Sequence, residues 1–221
     1  MKQPDFLSDP VLGRVWDALP EARVVGGAVR DAMAGRTVAD IDLATPATPV
    51  DVVAALKRAG LKAVPTGLAH GTVTAVADGR GIEITTLRRD VETDGRHAVV
   101  AFTEDWQLDA SRRDFTINAM SMARDGSVFD YFDGIADLQA GQVRFVGDPA
   151  TRIAEDYLRI LRFFRFYARY ARLPPDPDTL GALRAGIPGL AQLSVERVWM
   201  ELRRILTAPD PMEAVGLMQD L

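Results

Sequence analysis

The sequence predicts an α+β protein, with a mixed sheet flanked by helices and then an all-helical region. Short alternating runs, "ARVVGG", "DIDLAT", "GTVTAVAD" and "GIEITTLRR", interleave with helical patterns in the first half of the chain. From Glu104 the pattern becomes mostly helical, broken by "DGSVFDYFDG" and "AGQVRFVGDP".

Taken in order, "VLGRVWDAL" reads as a helix, "ARVVGG" as a short strand, "AVRDAMAG" as a helix closed by Gly35, and "DIDLAT" as a second strand. A helix at "PVDVVAALKRAG" follows, then a strand near "KAVPTG" and two strands joined at the turn residues "DGRG". The boundary between the sheet and the helices is expected near Gly147 to Pro149, just before an arginine-rich helix. That helix ends at "RLPPDPD", because the prolines of "PPDP" cannot continue it. Further helices fit "DTLGALRAG" and "SVERVWMELRRILTA", with Ser194 as N-cap of the latter. The chain stops at "EAVGLMQDL", inside an apolar helical pattern, and this ending reads as a truncation. The expected division is residues 1–147, 148–206 and 207–221, the last being the start of a truncated helical body.

Composition narrows the chemistry. With no cysteine, disulfides, thiol nucleophiles and cysteine-ligated zinc are excluded, and only His70 and His97 offer imidazole. Neither histidine has a partner at metal-ligand spacing, so a metal here is expected to be a hard cation held by carboxylates. No apolar run approaches the roughly 18 residues of a membrane span, and "MKQPDFLSDP" lacks the apolar segment of a signal peptide. The expected compartment is the cytoplasm, with no membrane partner. The net charge of −5 is unevenly spread. Residues 1–150 carry 16 Lys and Arg against 22 Asp and Glu, whereas residues 151–221 carry 10 against 9. A basic stretch thus begins where the acidic part ends, a pattern suited to a polyanion held at a junction.

Several short motifs carry chemistry. "VVGGAVRD" sets Gly26 and Gly27 between a strand and a helix, where backbone N–H groups can approach an anion and Arg30 can supply a guanidinium. Read alone, the same residues also suit a plain tight turn. Neither a dinucleotide fingerprint nor a G-K-[ST] phosphate loop is present. Ten residues after Arg30, "DID" places Asp40 and Asp42 on one side of a strand, with Ile41 expected in the core. Two such carboxylates can share divalent cations that orient a nucleoside triphosphate. Glu83 in "GIEITTLR" is a candidate third carboxylate or a water-facing edge residue, with Asp114 as its competitor. In "SRRDFTINAM", Arg112 and Arg113 suit a triphosphate, while Asp114 suits a ribose hydroxyl or a neighbouring arginine; taken alone, the motif reads first as a helix-entry salt-bridge cluster.

Together these segments resemble the bacterial tRNA nucleotidyltransferase and poly(A) polymerase family, the class II branch of the polymerase β-type nucleotidyltransferases. The match is carried by "GGAVRDAMAGRTVADIDLAT", "HGTV", "IEITTLRRD", "SRRDFTINAMSM", "FDYFDGIADLQAGQVRFVGDP" and "RIAEDYLRILRFFRF". The resemblance implies a polymerase β-type head domain in residues 1–147 and a helical neck in residues 148–206. It implies magnesium on Asp40 and Asp42, Glu83 as the third acidic residue, and nucleotide contacts from Gly27, Arg30 and Arg113. It also implies that Asp156, Arg159, Arg162 and Arg165 bind the incoming base or its phosphates, selecting CTP twice and then ATP without a template.

By that resemblance the chain adds CCA to tRNA 3′ ends, and the nucleotide is expected between the sheet carboxylates and the arginine helix. A carboxylate accepts from the amino group of C or A, while a guanidinium donates to ring nitrogens or carbonyls. Three-residue steps turn by about 300° on a helix, so the arginines spiral and cannot all face one base. Asp156 and Arg159 are expected at the base edge, Arg162 nearby, and Arg165 on phosphate or in helix packing. One stretch departs from the family: between Arg88 and Arg112 an Arg-Pro loop is common, whereas this chain reads Arg-His-Ala at 96–98. CC-only or A-only addition, polyadenylation, and a catalytically incompetent nucleotide- or RNA-binding fragment are the competing expectations.

Overall fold

The computed structural model describes residues 3–93 and 98–221. It divides into two compact units, one made chiefly of residues 3–91, 99–113 and 118–131, the other chiefly of residues 114–117 and 132–221.

The first unit is built on a seven-stranded mixed sheet. Asp9 starts α1 (Pro10–Ala18) by accepting from the N–H groups of Val11 and Leu12, and Pro10 gives up no hydrogen bond at the first helical position. β1 (Arg23–Val25), α2 (Gly27–Met33) and β2 (Asp42–Thr45) follow, then α3 (Pro49–Arg58), capped by Thr48. β3 (Lys62–Gly67), β4 (Thr72–Ala77) and β5 (Arg80–Thr86) complete the sheet's first part. Asp78 and Gly79 join β4 to β5 with φ of 52° and 75°, the positive values a tight hairpin turn needs. β6 (Arg88–Thr93) and β7 (Ala98–Phe102) form a separate ribbon. After α4 (Trp106–Ser111), the short strands β8 (Ser121–Met122) and β9 (Val128–Phe129) finish the unit.

The strand order is β3-β4-β5-β2-β1-β8-β9, antiparallel except for the parallel β2–β5 pair. One face is dry. Leu43, Val73, Ala75, Ile82 and Ile84 are buried on it, and α1 and α3 contribute Leu12, Val15, Trp16, Val52 and Leu56 to the unit's core. On β4 burial alternates strictly, leaving Thr72, Thr74 and Val76 half-buried on the other face.

Ile41 does not enter the core. β2 begins at Asp42, and Ile41 precedes it, half-buried beside Phe6 and Val38 in a surface cavity of about 430 Å³. The strand alternation expected over "DID" therefore holds only from Asp42 onward, because the chain leaving α2 reaches the sheet two residues later than the pattern suggested.

The second unit is helical: α5 (Gly134–Ala140), α6 (Pro149–Glu155), α7 (Leu158–Tyr170), α8 (Pro177–Gly186), α9 (Val195–Leu206) and α10 (Met212–Asp220). Asp148 and Asp176 cap α6 and α8, each followed by proline at the first helical position. Ser194 occupies the N-cap of α9 without a side-chain cap bond. Phe115 and Phe145 pair in an isolated β-bridge and, with Phe163, Phe166, Ile160, Leu183 and Ile205, make the core. Phe163 stacks on Phe145 at 5.9 Å between ring centroids, and Phe115 meets Phe166 edge-on at 5.1 Å. "EDYLRILRFFRF" is not one helix. Asp156 is extended, with φ −158° and ψ 106°, and its Oδ1 accepts from the N–H of Leu158, so the side chain competes with the helix for that donor. Tyr157 lies where a Cβ on Gly189 would collide with its ring, which ties the break to the core.

Among the described residues no helix is long and apolar enough to cross a membrane.

Candidate active site

The acidic centre forms on the first unit's sheet. Asp42 on β2 lies in register with Glu83 on β5, and Asp40 is two residues upstream. Burial pushes the Asp42 carboxyl above its ordinary pKa, the charges of Glu83 and Asp40 push the same way, and Arg113 opposes them. Asp40, Glu83 and Arg113 are thus brought within electrostatic reach of Asp42, the four residues coming from three separate places in the chain. Crowded carboxylate oxygens with no thiol or imidazole among them match a hard divalent cation. Among the described residues no three acidic or imidazole side chains close into a metal cage. Magnesium does not need one, since it keeps several waters and takes substrate oxygens beside one or two carboxylates.

Val25 pairs with Asp42 and leads into Gly26, which lies beside the Arg113 guanidinium. Gly26 has φ +66° and ψ −126°, which side-chain-bearing residues rarely adopt, and a Cβ there would approach Arg113 Nη1 to 3.3 Å. Its bare backbone leaves room beside a guanidinium. Arg113 and Arg112 both pair with Asp109, at 3.0 and 2.9 Å, and Asp109 is only 3% exposed. Burial opposes the Asp109 charge, but the two arginines outweigh it and hold its pKa below the ordinary value. Arg30 is buried; its Nη1 donates to Asn118 Oδ1 at 2.5 Å, and its Nε and Nη2 grip both oxygens of Asp31 at 3.0 Å.

In the second unit, each arginine of "EDYLRILRFFRF" has an acidic partner. Arg159 pairs with Glu155 and also donates to the Arg152 carbonyl at 2.8 Å. Arg162 donates through Nε and Nη2 to Asp114 Oδ2. Burial works against its charge, yet Asp114 outweighs it and raises the guanidinium pKa. Arg165 Nε lies 2.8 Å from Glu201 Oε2, close enough for an ion pair but outside hydrogen-bond alignment. Burial and the repulsion of Arg162 lower its pKa to about 10. Asp156 Oδ2 accepts from Arg197 Nη2 at 2.8 Å. His70 sits exposed at a turn whose carbonyl accepts from Arg88 at 2.5 Å, and His97 lies outside the described residues, as does the middle of the loop at 94–97.

The "Poly A polymerase head domain" family model matches residues 22–144, more than half of the chain. The chain belongs to the poly A polymerase head-domain family. A second model, described as a probable RNA and SrmB-binding site of polymerase A, matches residues 173–221 of this family member. It is 50% identical over 204 residues to the mitochondrial CCA tRNA nucleotidyltransferase 1 of Mus musculus, covering 91% of this chain and 47% of that one. It is 41% identical over 211 residues to the CCA-adding enzyme of Levilactobacillus brevis, covering 95% and 52%. The Bacillus stearothermophilus CCA-adding enzyme in complex with CTP superposes with a TM-score of 0.82 at 35% identity, over 95% of this chain and 52% of that chain. The chain therefore spans about half the length of the curated relatives it matches.

Four polar residues of this family member escaped the motif reading. Asp109 had a local signal, because it stands three and four residues before Arg112 and Arg113 on one helical face. Asn118, Arg197 and Glu201 had none, since their partners lie 88, 41 and 36 residues away in sequence.

Proposed function

We propose that this chain carries the nucleotidyl-transfer site of an enzyme that adds CCA to tRNA 3′ ends from CTP and ATP, releasing pyrophosphate. The observation that carries the reading is the in-register pair Asp42 and Glu83, crowded by Asp40 and flanked by Gly26 and Arg113. The names of the relatives supply the substrates.

In the reaction the tRNA's terminal 3′ oxygen bonds to the α-phosphorus of the incoming nucleotide. The bond from that phosphorus to the bridging oxygen breaks, and the hydroxyl proton is released. Magnesium held by Asp40 and Asp42 would neutralise charge on the transferring phosphoryl group and the leaving pyrophosphate. Arg113 and Arg30 attract the triphosphate, and Gly26 lets it approach the backbone. Glu83 keeps the negative field that draws the cation to Asp42. Asp156 accepts from the exocyclic amino group shared by C and A, with Arg159 as the complementary donor. Arg162, near the base-selecting residues, and Arg165 hold α7 through their pairing with Asp114 and Glu201. The cytoplasm is the proposed compartment.

The test is incubation with magnesium, labelled CTP or ATP, and tRNA lacking CCA, ending in CC, or complete. Stepwise addition of C, C and A followed by arrest is expected. Unlimited A addition to any RNA would instead identify a poly(A) polymerase, arrest after CC or A-only addition a partial enzyme, and CTP binding without incorporation a binding fragment.

A further inference from the structure

The motif "HGTV" opens β4, and the reaction above leaves it without a role. Thr74 on β4 is opposite Glu83 on β5, Thr72 is opposite Thr85, and Glu83 is beside Asp42 on β2. Residues in register project from the same face of a sheet. Asp42, Glu83 and Thr74 therefore form one row, in steps of about 4.8 Å, on the face opposite the dry core. Thr72 and Thr85 make the neighbouring row, with hydroxyls 3.3 Å apart, and Thr66 reaches the Thr74 hydroxyl from β3 at 2.9 Å. Thr66 is exposed and the other three are half-buried. Lys62, in register with Val76, faces the same side and is exposed.

The two flanks of the acidic pair differ in chemistry. On the β1 flank, Val25 is opposite Asp42 and leads directly into Gly26 and Arg113, a cationic setting for an anion. On the β5 and β4 flank there are neutral hydroxyls, with one lysine at the outer end. In-line displacement puts the attacking and leaving oxygens on opposite sides of the phosphorus. If pyrophosphate departs toward Gly26 and Arg113, the attacking ribose arrives over β5 and β4. Hydroxyls there can donate to phosphate oxygens and accept from a 2′-hydroxyl without reading a base. That suits a strand whose terminal base changes at every addition.

We propose that Thr66, Thr72, Thr74 and Thr85 form a hydroxyl track that seats the sugar–phosphate backbone at the 3′ end of the acceptor RNA, with Lys62 contacting a phosphate. The proposal rests on the transferase reading. Its test compares the wild-type chain with Thr72→Val/Thr74→Val, which keeps the β-branched shape, and with Thr74→Ser, which keeps the hydroxyl. Binding of a fluorescein-labelled tRNA ending in CC is measured by anisotropy, and CTP binding by calorimetry. The double valine variant is expected to weaken RNA binding about fivefold while CTP binding stays within about twofold, and Thr74→Ser to bind RNA nearly as wild type. RNA binding unchanged in the double variant, or CTP and RNA binding weakened together, overturns the track while leaving the transferase reading standing. A wild-type chain that binds CTP but no RNA removes both.

Discussion

Arg197 holds Asp156 across 41 residues of sequence, its Nη2 donating to the carboxylate Oδ2 at 2.8 Å. The other oxygen, Oδ1, takes the Leu158 N–H, so the carboxylate is fixed at both ends in the break between α6 and α7. A base-selecting carboxylate needs this restraint, because a misplaced acceptor loses its preference for the amino edge. Arg197→Met is therefore expected to lower discrimination among C, A and the uracil and guanine nucleotides by about tenfold. Incorporation ratios on tRNA ending before each position check it. An unchanged ratio with uniformly slower addition would leave Arg197 a structural role only.

Asp42→Asn is expected to cut transfer by about a hundredfold or more while raising thermal stability. The sign follows from the raised pKa. The folded state binds more protons at Asp42 than the unfolded state, so its contribution to stability falls as pH rises through the folded value, and at neutral pH the ionised carboxylate destabilises the fold. Cation binding behaves oppositely: in the metal-free protein acid protonates Asp42 at a higher pH than an ordinary aspartate requires, and the proton competes with magnesium for the carboxylate. Thermal melts with and without magnesium test this: the cation should stabilise the wild type and have less effect on the asparagine variant.

Asp109→Ala leaves Arg112 and Arg113 without their buried partner and is expected to cost about 3 kcal/mol of stability. Because the carboxyl's pKa is depressed, its contribution is present above the unfolded value and is lost as pH falls through the folded one. CTP affinity should fall with it, since Arg113 is no longer held beside Gly26. Calorimetry beside urea titration separates the two effects; wild-type CTP affinity in the variant would show that Arg113 acts without this tether.

Gly26→Ala combines a disfavoured positive φ with a Cβ 3.3 Å from Arg113 Nη1. A loss of about 1–3 kcal/mol is expected from the backbone alone. Triphosphate binding should weaken further, and Gly13→Ala, where a Cβ meets nothing within 4 Å, serves as the comparison for urea titration.

Arg165 and Glu201 form a buried pair outside hydrogen-bond alignment. Replacing both, Arg165→Met with Glu201→Leu, is expected to be neutral or stabilising by about 1–4 kcal/mol, whereas Arg165→Met alone should destabilise. Melting curves decide, and equal losses in the single and double variants would contradict this account.

The strands and helices of the first unit were largely legible, because one-sided burial writes a period of two or 3.6 into the chain. The strands "GTVTAVAD" and "GIEITTLRR" and their "DG" turn appear where the alternation placed them. Ile41 and the break at Asp156 were not legible. The first depended on where the chain leaving α2 joins the sheet. The second depended on Tyr157 packing against Gly189, over thirty residues away.

The sequence by itself determined the α+β class, the candidate carboxylates and glycines, and the exclusion of thiol chemistry, since these follow from residue type and short-range spacing. Tertiary structure alone decided the pairing of Asp42 with Glu83, of Arg30 with Asn118, of Arg162 with Asp114, and of Asp156 with Arg197. Electrostatic and hydrogen-bond partners act through space at a few ångströms, and a linear chain records such distances only where the partners lie within a turn or two of one another.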